Sequence, residues 1–273
     1  MGHCIRLPSG LSTRYYDYMS RNILITGGTG GIGRAFVDRF VQNGDKVWLT
    51  FVKESELPDS IVASYEPESV QAFQLDLGDH GSVARLVKAL PGTPDVLIHN
   101  AGLGSATVEY LSDVAHEQSQ LLIQVNAIGT LWLNELLMPA MIKRGSGKII
   151  LISSVGGGVT QFAGFNYADG MSKAAIAFLG RTLAADLTHT GVEVFTICPG
   201  ATNTPMFAAS TLNNLSESDR KELIAALPKS RLIEPQEIAE LGFFLASESG
   251  KILHGAVIDA SMGLGVNPGL LKK

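Results

Sequence analysis

The chain has 273 residues, is 45% hydrophobic with a mean hydropathy of +0.20, and carries a formal net charge of -5. That length and apolar content suit one large α/β domain whose sheet is covered on both faces. The mild acidity gives no electrostatic case for nucleic acid or an anionic membrane as partner.

Two cysteines, Cys4 and Cys198, stand far apart and make no disulfide framework, so a reducing cytoplasm is the expected location. Residues 1–20 read as a disordered extension without the apolar core of a secretory signal. By the same reading no segment reaches the roughly 18 apolar residues needed to cross a bilayer.

In chain order, the apolar run Ile23-Leu24-Ile25 leads through Thr26 into a turn, Gly27 to Gly33, rich in glycine. Ala35, Phe36, Phe40 and Val41 follow with helical spacing, so the turn joins a strand to a helix. Such a turn lets a pyrophosphate approach bare backbone, with the free N–H groups of the helix start pointing at it. Further strands are expected at Lys46–Val52, Val70–Gln74, Val96–Asn100, Lys148–Ile152, Val192–Cys198 and Ala256–Asp259. Helices are expected through Val83–Leu90, from about Asp113 to Lys143, from about Asp169 past Leu187, and over Pro235–Ser247. Strict alternation predicts a doubly wound parallel sheet of about seven strands, a Rossmann fold, over residues 21–267 with a tail at 268–273.

Taken together, these segments resemble the short-chain dehydrogenase/reductase family across residues 21–265. Thr26-Gly27-x-x-x-Gly31-Ile32-Gly33 matches its cofactor motif, and Asp76-Leu77 the pair that meets adenine. His99-Asn100-Ala101-Gly102 is similar to the family's Asn-Asn-Ala-Gly, with histidine in the first place. Asn126 matches the asparagine that kinks the long helix and holds a relay water, and Ser154 the catalytic serine. Pro199-Gly200-Ala201-Thr202-Asn203-Thr204 matches the segment lying along the nicotinamide. The resemblance implies a cofactor site of Gly27, Thr29, Gly31, Ile32, Gly33, Lys53, Asp76, Leu77, Asn100, Ala101, Gly102, Lys173, Pro199, Gly200, Thr202 and Thr204. It also implies assembly as dimers or tetramers through the long helix and the helix carrying Lys173. In general look the chain is nearest the 3-oxoacyl-thioester reductases.

Reduction of a ketone by hydride builds negative charge on oxygen, so an acid must stand beside it. The family supplies a tyrosine one helical turn before a lysine. Here the two anchors disagree: four residues before Lys173 stands Asp169, whereas thirteen after Ser154 stands Tyr167. Either Asp169 caps the helix and Tyr167 reaches in from the preceding loop, or extra residues lie in the loop around 156–158 and Asp169 takes the tyrosine's place. The candidate catalytic group is therefore Asn126, Ser154, Tyr167, Asp169 and Lys173.

The second strand ends in Thr50-Phe51-Val52-Lys53, without the acid that holds both ribose hydroxyls of NAD. Lys53 suits a 2′-phosphate, so NADP(H) is expected over NAD(H). Residues 203–230 read as a substrate lid with an apolar inner side from Met206, Phe207, Leu212, Leu223 and Leu227, implying a partly apolar carbonyl substrate. His99 is expected to hydrogen-bond beneath the cofactor turn. The other histidines lack metal-ligand spacing. Three readings remain open: an NADP(H)-dependent carbonyl reductase, an isomerase, lyase or cyclase using Asp169, and a dinucleotide-binding protein without turnover.

Overall fold

A computed structural model describes residues 20–53 and 59–267. The expected N-terminal extension, except Ser20, and the expected C-terminal tail lie outside the described residues.

Seven strands form one all-parallel sheet in the order β3-β2-β1-β4-β5-β6-β7. They are β1 (Asn22–Ile25), β2 (Lys46–Phe51), β3 (Val70–Gln74), β4 (Val96–His99), β5 (Gly147–Ile152), β6 (Val192–Pro199) and β7 (Val257–Ala260). Helices between them are α1 (Gly31–Gln42), the short α2 (Asp59–Val62), α3 (His80–Ala89), α4 (Ala115–Ile123) and α5 (Gly129–Arg144). After β5 come the single turn α6 (Val155–Gly158) and the long α7 (Tyr167–Leu187). After β6 come α8 (Pro205–Ser210), α9 (Glu217–Ala226) and α10 (Pro235–Leu245).

The strands alternate between two cores, as a period of two requires. Ile23, Ile25, Val47, Leu49, Val96 and Ile98 face α1 and α10, where Phe36, Val37, Phe40, Ile238 and Leu245 are buried. Leu24, Trp48 and Leu97 face the other way, onto Val83 and Leu86 of α3 and Leu133 and Leu137 of α5. A third cluster packs Ile149 and Leu151 of β5 and Val194 of β6 under Ile176, Leu183 and Leu187 of α7.

The run Ala115–Arg144 is long and apolar enough, at a mean hydropathy of 1.3, to cross a bilayer by length and composition alone. In the fold Leu122, Leu133, Leu137 and Met141 of this run are buried within the protein itself. The run is also not one regular helix. Gln124–Ile128, between α4 and α5, forms a π-helical turn with buried Asn126 in it. The widened turn turns that side chain towards the loop after β4.

β1 and β4 are neighbours although two strands and their helices separate them in sequence. Their C-terminal ends therefore flank the point where the winding reverses, which in such sheets is where a ligand crevice opens.

Gly242 of α10 lies so close to Phe36 of α1 that an added Cβ would fall inside the ring's van der Waals surface, whereas nothing stands within 4 Å of one at Gly92. Gly242→Ala is expected to lower stability by about 1–3 kcal/mol, and Gly92→Ala to change it by less than about 0.5 kcal/mol. Urea unfolding midpoints of the two variants check the contrast.

Candidate active site

The turn after β1 is held from three sides. Gly27 N–H donates to Thr50 Oγ1 at 3.1 Å and Gly28 N–H to the Thr50 carbonyl at 3.1 Å. Asn100 Nδ2 donates to the carbonyls of Thr26 and Gly27, both at 3.0 Å, and Thr26 Oγ1 accepts the N–H groups of Asn100 and Ala101, both at 3.0 Å. Gly27 and Gly31 take positive φ, +65° and +54°, where a side chain would be strained. A Cβ on Gly33 would collide with the Gly27 carbonyl. No side chain caps the start of α1 at Gly30, so its first N–H groups face the crevice with the positive end of the helix dipole.

These features fit the pyrophosphate of a nicotinamide dinucleotide. The bare backbone and uncapped N–H groups are what two linked phosphates need, and the cradle would be blocked by any larger residue at 33.

The remaining candidate cofactor residues gather along the same edge. Thr29 is half-buried, and Ile32 packs on the α1 core. Ala101 abuts Gly27 and Thr204 abuts Gly31. Pro199 ends β6, Gly200 lies against Ser261, and Thr202 Oγ1 donates to the Gly200 carbonyl at 3.0 Å. Thr204 caps α8 by accepting the Phe207 N–H at 3.2 Å. Lys53 is exposed just past the end of β2. Asp76 is exposed and accepts the Gly78 N–H at 2.7 Å, while Leu77 is buried with its carbonyl and Cβ against Gly129 of α5.

His99 does not hydrogen-bond beneath the turn as expected. It is 3% exposed, and among the described residues neither ring nitrogen has a partner within hydrogen-bond distance. Burial pushes its pKa down to about 4, and the side chain of Asn134, facing the ring at a geometry looser than a regular hydrogen bond, pulls it up by less. The tie beneath the turn is the Asn100 amide instead.

Around Lys173 the geometry separates the two acids. Asn166, not Asp169, caps α7, its Oδ1 accepting the Asp169 N–H at 3.0 Å. The helix thus begins two residues earlier than expected, with Asp169 in its first turn and one turn before Lys173 on the same side. Asp169 is 6% exposed, and its Oδ2 accepts the Ser105 N–H at 3.1 Å. Tyr167 is 90% exposed, on a different face of the helix from Lys173.

Burial raises the Asp169 carboxyl above its usual range, with the Lys173 charge and the Ser105 N–H opposing it. Burial also lowers the Lys173 ammonium, with the charge of Asp169 and then that of Cys198 opposing. Lys173 Nζ lies close to Gly102, as does Asn126 Oδ1.

Asn126 is bound on every side: Oδ1 accepts the Leu103 N–H at 2.7 Å, and Nδ2 donates to the Leu103 carbonyl and to Ser172 Oγ, both at 2.9 Å. Ser153 is buried and donates to the Lys173 carbonyl at 2.8 Å. Ser154 is only half-buried and accepts the Gly156 N–H at 3.2 Å, which leaves its own hydroxyl hydrogen to donate into the crevice.

The family model described as short chain dehydrogenase matches residues 21–214. The chain belongs to the short-chain dehydrogenase/reductase family. It is 32% identical over 254 residues to the oxidoreductase UcpA of Salmonella typhimurium, covering 89% of this chain and 95% of that one. It is 31% identical over 246 residues to the 3-oxoacyl-[acyl-carrier-protein] reductase FabG of Thermotoga maritima, covering 88% and 96%. Among solved structures, levodione reductase superposes with a TM-score of 0.80 at 27% identity, covering 90% and 98%. An actinorhodin polyketide ketoreductase with NADPH gives 0.79 at 25%, covering 90% and 97%. The protein is thus a dehydrogenase/reductase enzyme of a family that binds NAD(P) and whose members include carbonyl reductases.

Two contributors to the site went unseen in sequence. Thr50 was legible only as a strand residue, and Ser105 acts through its backbone N–H, which leaves no trace in residue type.

Asn100→Ala strips a shared donor from two carbonyls and is expected to cost about 2–3 kcal/mol of stability. By loosening the cradle it should also weaken nicotinamide dinucleotide binding at least about tenfold. Thermal melting and titration calorimetry check the two effects separately.

Proposed function

We propose that the protein is an NADP(H)-dependent oxidoreductase that interconverts a partly apolar carbonyl compound of the 3-oxoacyl type and its alcohol, with Asp169 in the place of the family's tyrosine. The observation that carries this reading is the buried Asp169 carboxyl one turn before Lys173, whose Nζ lies close to Gly102 in the loop that abuts the glycine cradle. A nicotinamide dinucleotide bound in that cradle supplies or takes up a hydride.

The residues of the chain handle the oxygen and its proton. Ser154 donates its hydroxyl hydrogen to the substrate oxygen as negative charge grows there. Asp169, when protonated, gives that oxygen its proton; when ionised, it takes the proton of the alcohol in the reverse direction. Its Oδ2 is occupied by the Ser105 N–H, which leaves Oδ1 as the oxygen to exchange the proton. Lys173 keeps positive charge beside the carboxyl, and Asn126 fixes the Leu103 backbone that lines the approach.

The crevice is roofed by α8, where Met206 lies over Gly104. The half-buried Phe207 and Leu212 beside it suit an apolar substrate tail. Three basic residues of this region make internal bonds: Lys221 pairs with Glu217, Arg231 with Glu237, and the half-buried Arg220 donates to the Leu212 carbonyl. They supply no obvious docking face for an acidic carrier. Preference for NADP(H) rests on the missing acid at the end of β2 and the exposed Lys53 next to it.

Location in a reducing cytoplasm accords with Cys198, a buried thiol that burial raises to about 11. Assembly as a dimer or tetramer is supported by exposed apolar residues on α5 and α7, namely Leu136, Ile142, Met171 and Phe178.

The same substitution favours a second reading. A carboxylate beside an ammonium is a better proton acceptor than donor, which suits isomerisation, elimination or cyclisation with the nucleotide as a spectator.

NADPH oxidation against a panel of 3-oxoacyl thioesters and simple ketones separates the two. Under the first reading Asp169→Asn is expected to lower kcat by about 100-fold or more, and Tyr167→Phe to leave it within about twofold. Reduction should slow as pH rises through the titration of Asp169, because it uses the protonated carboxyl, and alcohol oxidation should quicken over the same range. Turnover that survives in Asp169→Asn but is lost in Tyr167→Phe would return the role to the tyrosine. Lys53→Glu is expected to weaken NADPH about tenfold in calorimetry and to spare NADH.

A further inference from the structure

The only polar group that reaches Asp169 from outside its own helix, among the described hydrogen bonds to its carboxyl, is a backbone N–H. A backbone N–H is aimed only as well as its peptide plane is held. The Ser105 N–H shares a rigid, trans plane with the Gly104 carbonyl, so the two point in opposite directions and the orientation of one sets the other.

Thr107 holds Gly104 from both sides, by the carbonyl in that plane and by the N–H in the plane before it. Its Oγ1 accepts the Gly104 N–H at 2.8 Å and donates to the Gly104 carbonyl at 3.1 Å. The Val108 N–H closes on the same carbonyl at 3.0 Å. Residue 104 is a glycine, pressed against Met206 of the roof, and a glycine backbone offers little resistance to tilting of its own. The hydroxyl of Thr107 therefore supplies a restraint that the residue type at 104 does not.

We propose that Thr107 is a positioning residue for Asp169: by clasping Gly104 it tilts the Gly104–Ser105 peptide so that the Ser105 N–H meets Asp169 Oδ2. This rests on the reading of Asp169 as the proton-carrying group. It goes beyond that reading by naming the residue that governs the group's orientation and proton affinity.

The charged surroundings are few. Lys173 faces Asp169 from α7; Cys198 of β6 faces Lys173 in turn, and Asp259 of β7 faces Cys198. None of them belongs to the loop after β4, so loosening that loop changes the N–H contribution and leaves the charges in place. An N–H that donates to a carboxylate favours its charged form, and losing the bond moves the carboxyl's titration upward.

The test is a carbon-13 NMR titration of the full chain labelled at aspartate, with the Asp169 signal assigned by its absence in Asp169→Asn. Thr107→Val keeps the shape of the side chain and removes both bonds; its Asp169 midpoint is expected to shift to higher pH. Thr107→Ser keeps the hydroxyl and is expected to restore the original midpoint. Ser105→Pro deletes the donor itself, should reproduce the upward shift, and carries the test if Thr107→Val melts too low to titrate. A midpoint unmoved in these variants, at melting temperatures near that of the parent, would overturn the proposal, as would failure of Thr107→Ser to restore it. Because no substrate is needed, the result is independent of turnover. Full NADPH oxidation by Asp169→Asn would remove the catalytic reading and leave the titration to judge the positioning alone.

Discussion

At the centre of the sheet two stretches of backbone meet with no side chain between them, and the rest of the site is built outward from that contact. Gly33 of α1 lies against the Gly27 carbonyl, and the Asn100 amide spans from the end of β4 to the carbonyls of Thr26 and Gly27. The contact spends both carbonyls and both strand ends on one another, so the first turn of α1 has only its own N–H groups left to offer. An anion is what such a place can hold. The parallel order of the sheet, with β1 beside β4, is what brings the two stretches together.

A second constraint sits at the start of α7. Because Asn166 accepts the Asp169 N–H, the helix begins at Tyr167, and the positions of Asp169 and Lys173 follow from its pitch. Tyr167 is then turned outward. Between β5 and α7 the chain is irregular: Gly156 and Gly157 leave helical geometry within α6, and the loop after it runs through Phe162 and Phe165 before the cap. An irregular loop absorbs added residues at little cost, whereas a helix packed under β5 and β6 by Ile176, Leu183 and Leu187 does not.

The central strands were legible because they are apolar runs closed by glycine, proline or a polar residue, as a doubly covered parallel sheet requires, while β3 at the edge shows as a short Val70-Gln71-Ala72-Phe73-Gln74 segment between polar stretches. The glycine turn was legible for a related reason, since glycine at a close approach is a matter of excluded volume. Asp169 and Tyr167 could not be separated, because the outcome depends on which of two polar residues caps a helix, and Asn and Asp cap about equally well. His99 was misread because polarity suggested a hydrogen bond, whereas its strand register turns the ring into the packed side. Ser105 was out of reach in principle: its contribution is a peptide N–H, which any residue except proline would present.

The lysine that serves a tyrosine works against an aspartic acid. A phenol starts near pKa 10 and must come down to be useful near neutrality, and a neighbouring ammonium brings it down. A carboxyl starts near 3.9 and must go up to act as an acid, so here the ammonium of Lys173 opposes the requirement. Burial is the larger influence on Asp169 and raises it in spite of Lys173 and the Ser105 N–H. The proton affinity of the site thus depends on how dry it is, and dryness favours the uncharged acid. The loop after β4 meets that buried carboxyl through the Ser105 N–H, and the same loop is held at Gly104, which Thr107 clasps and against which Met206 of α8 rests.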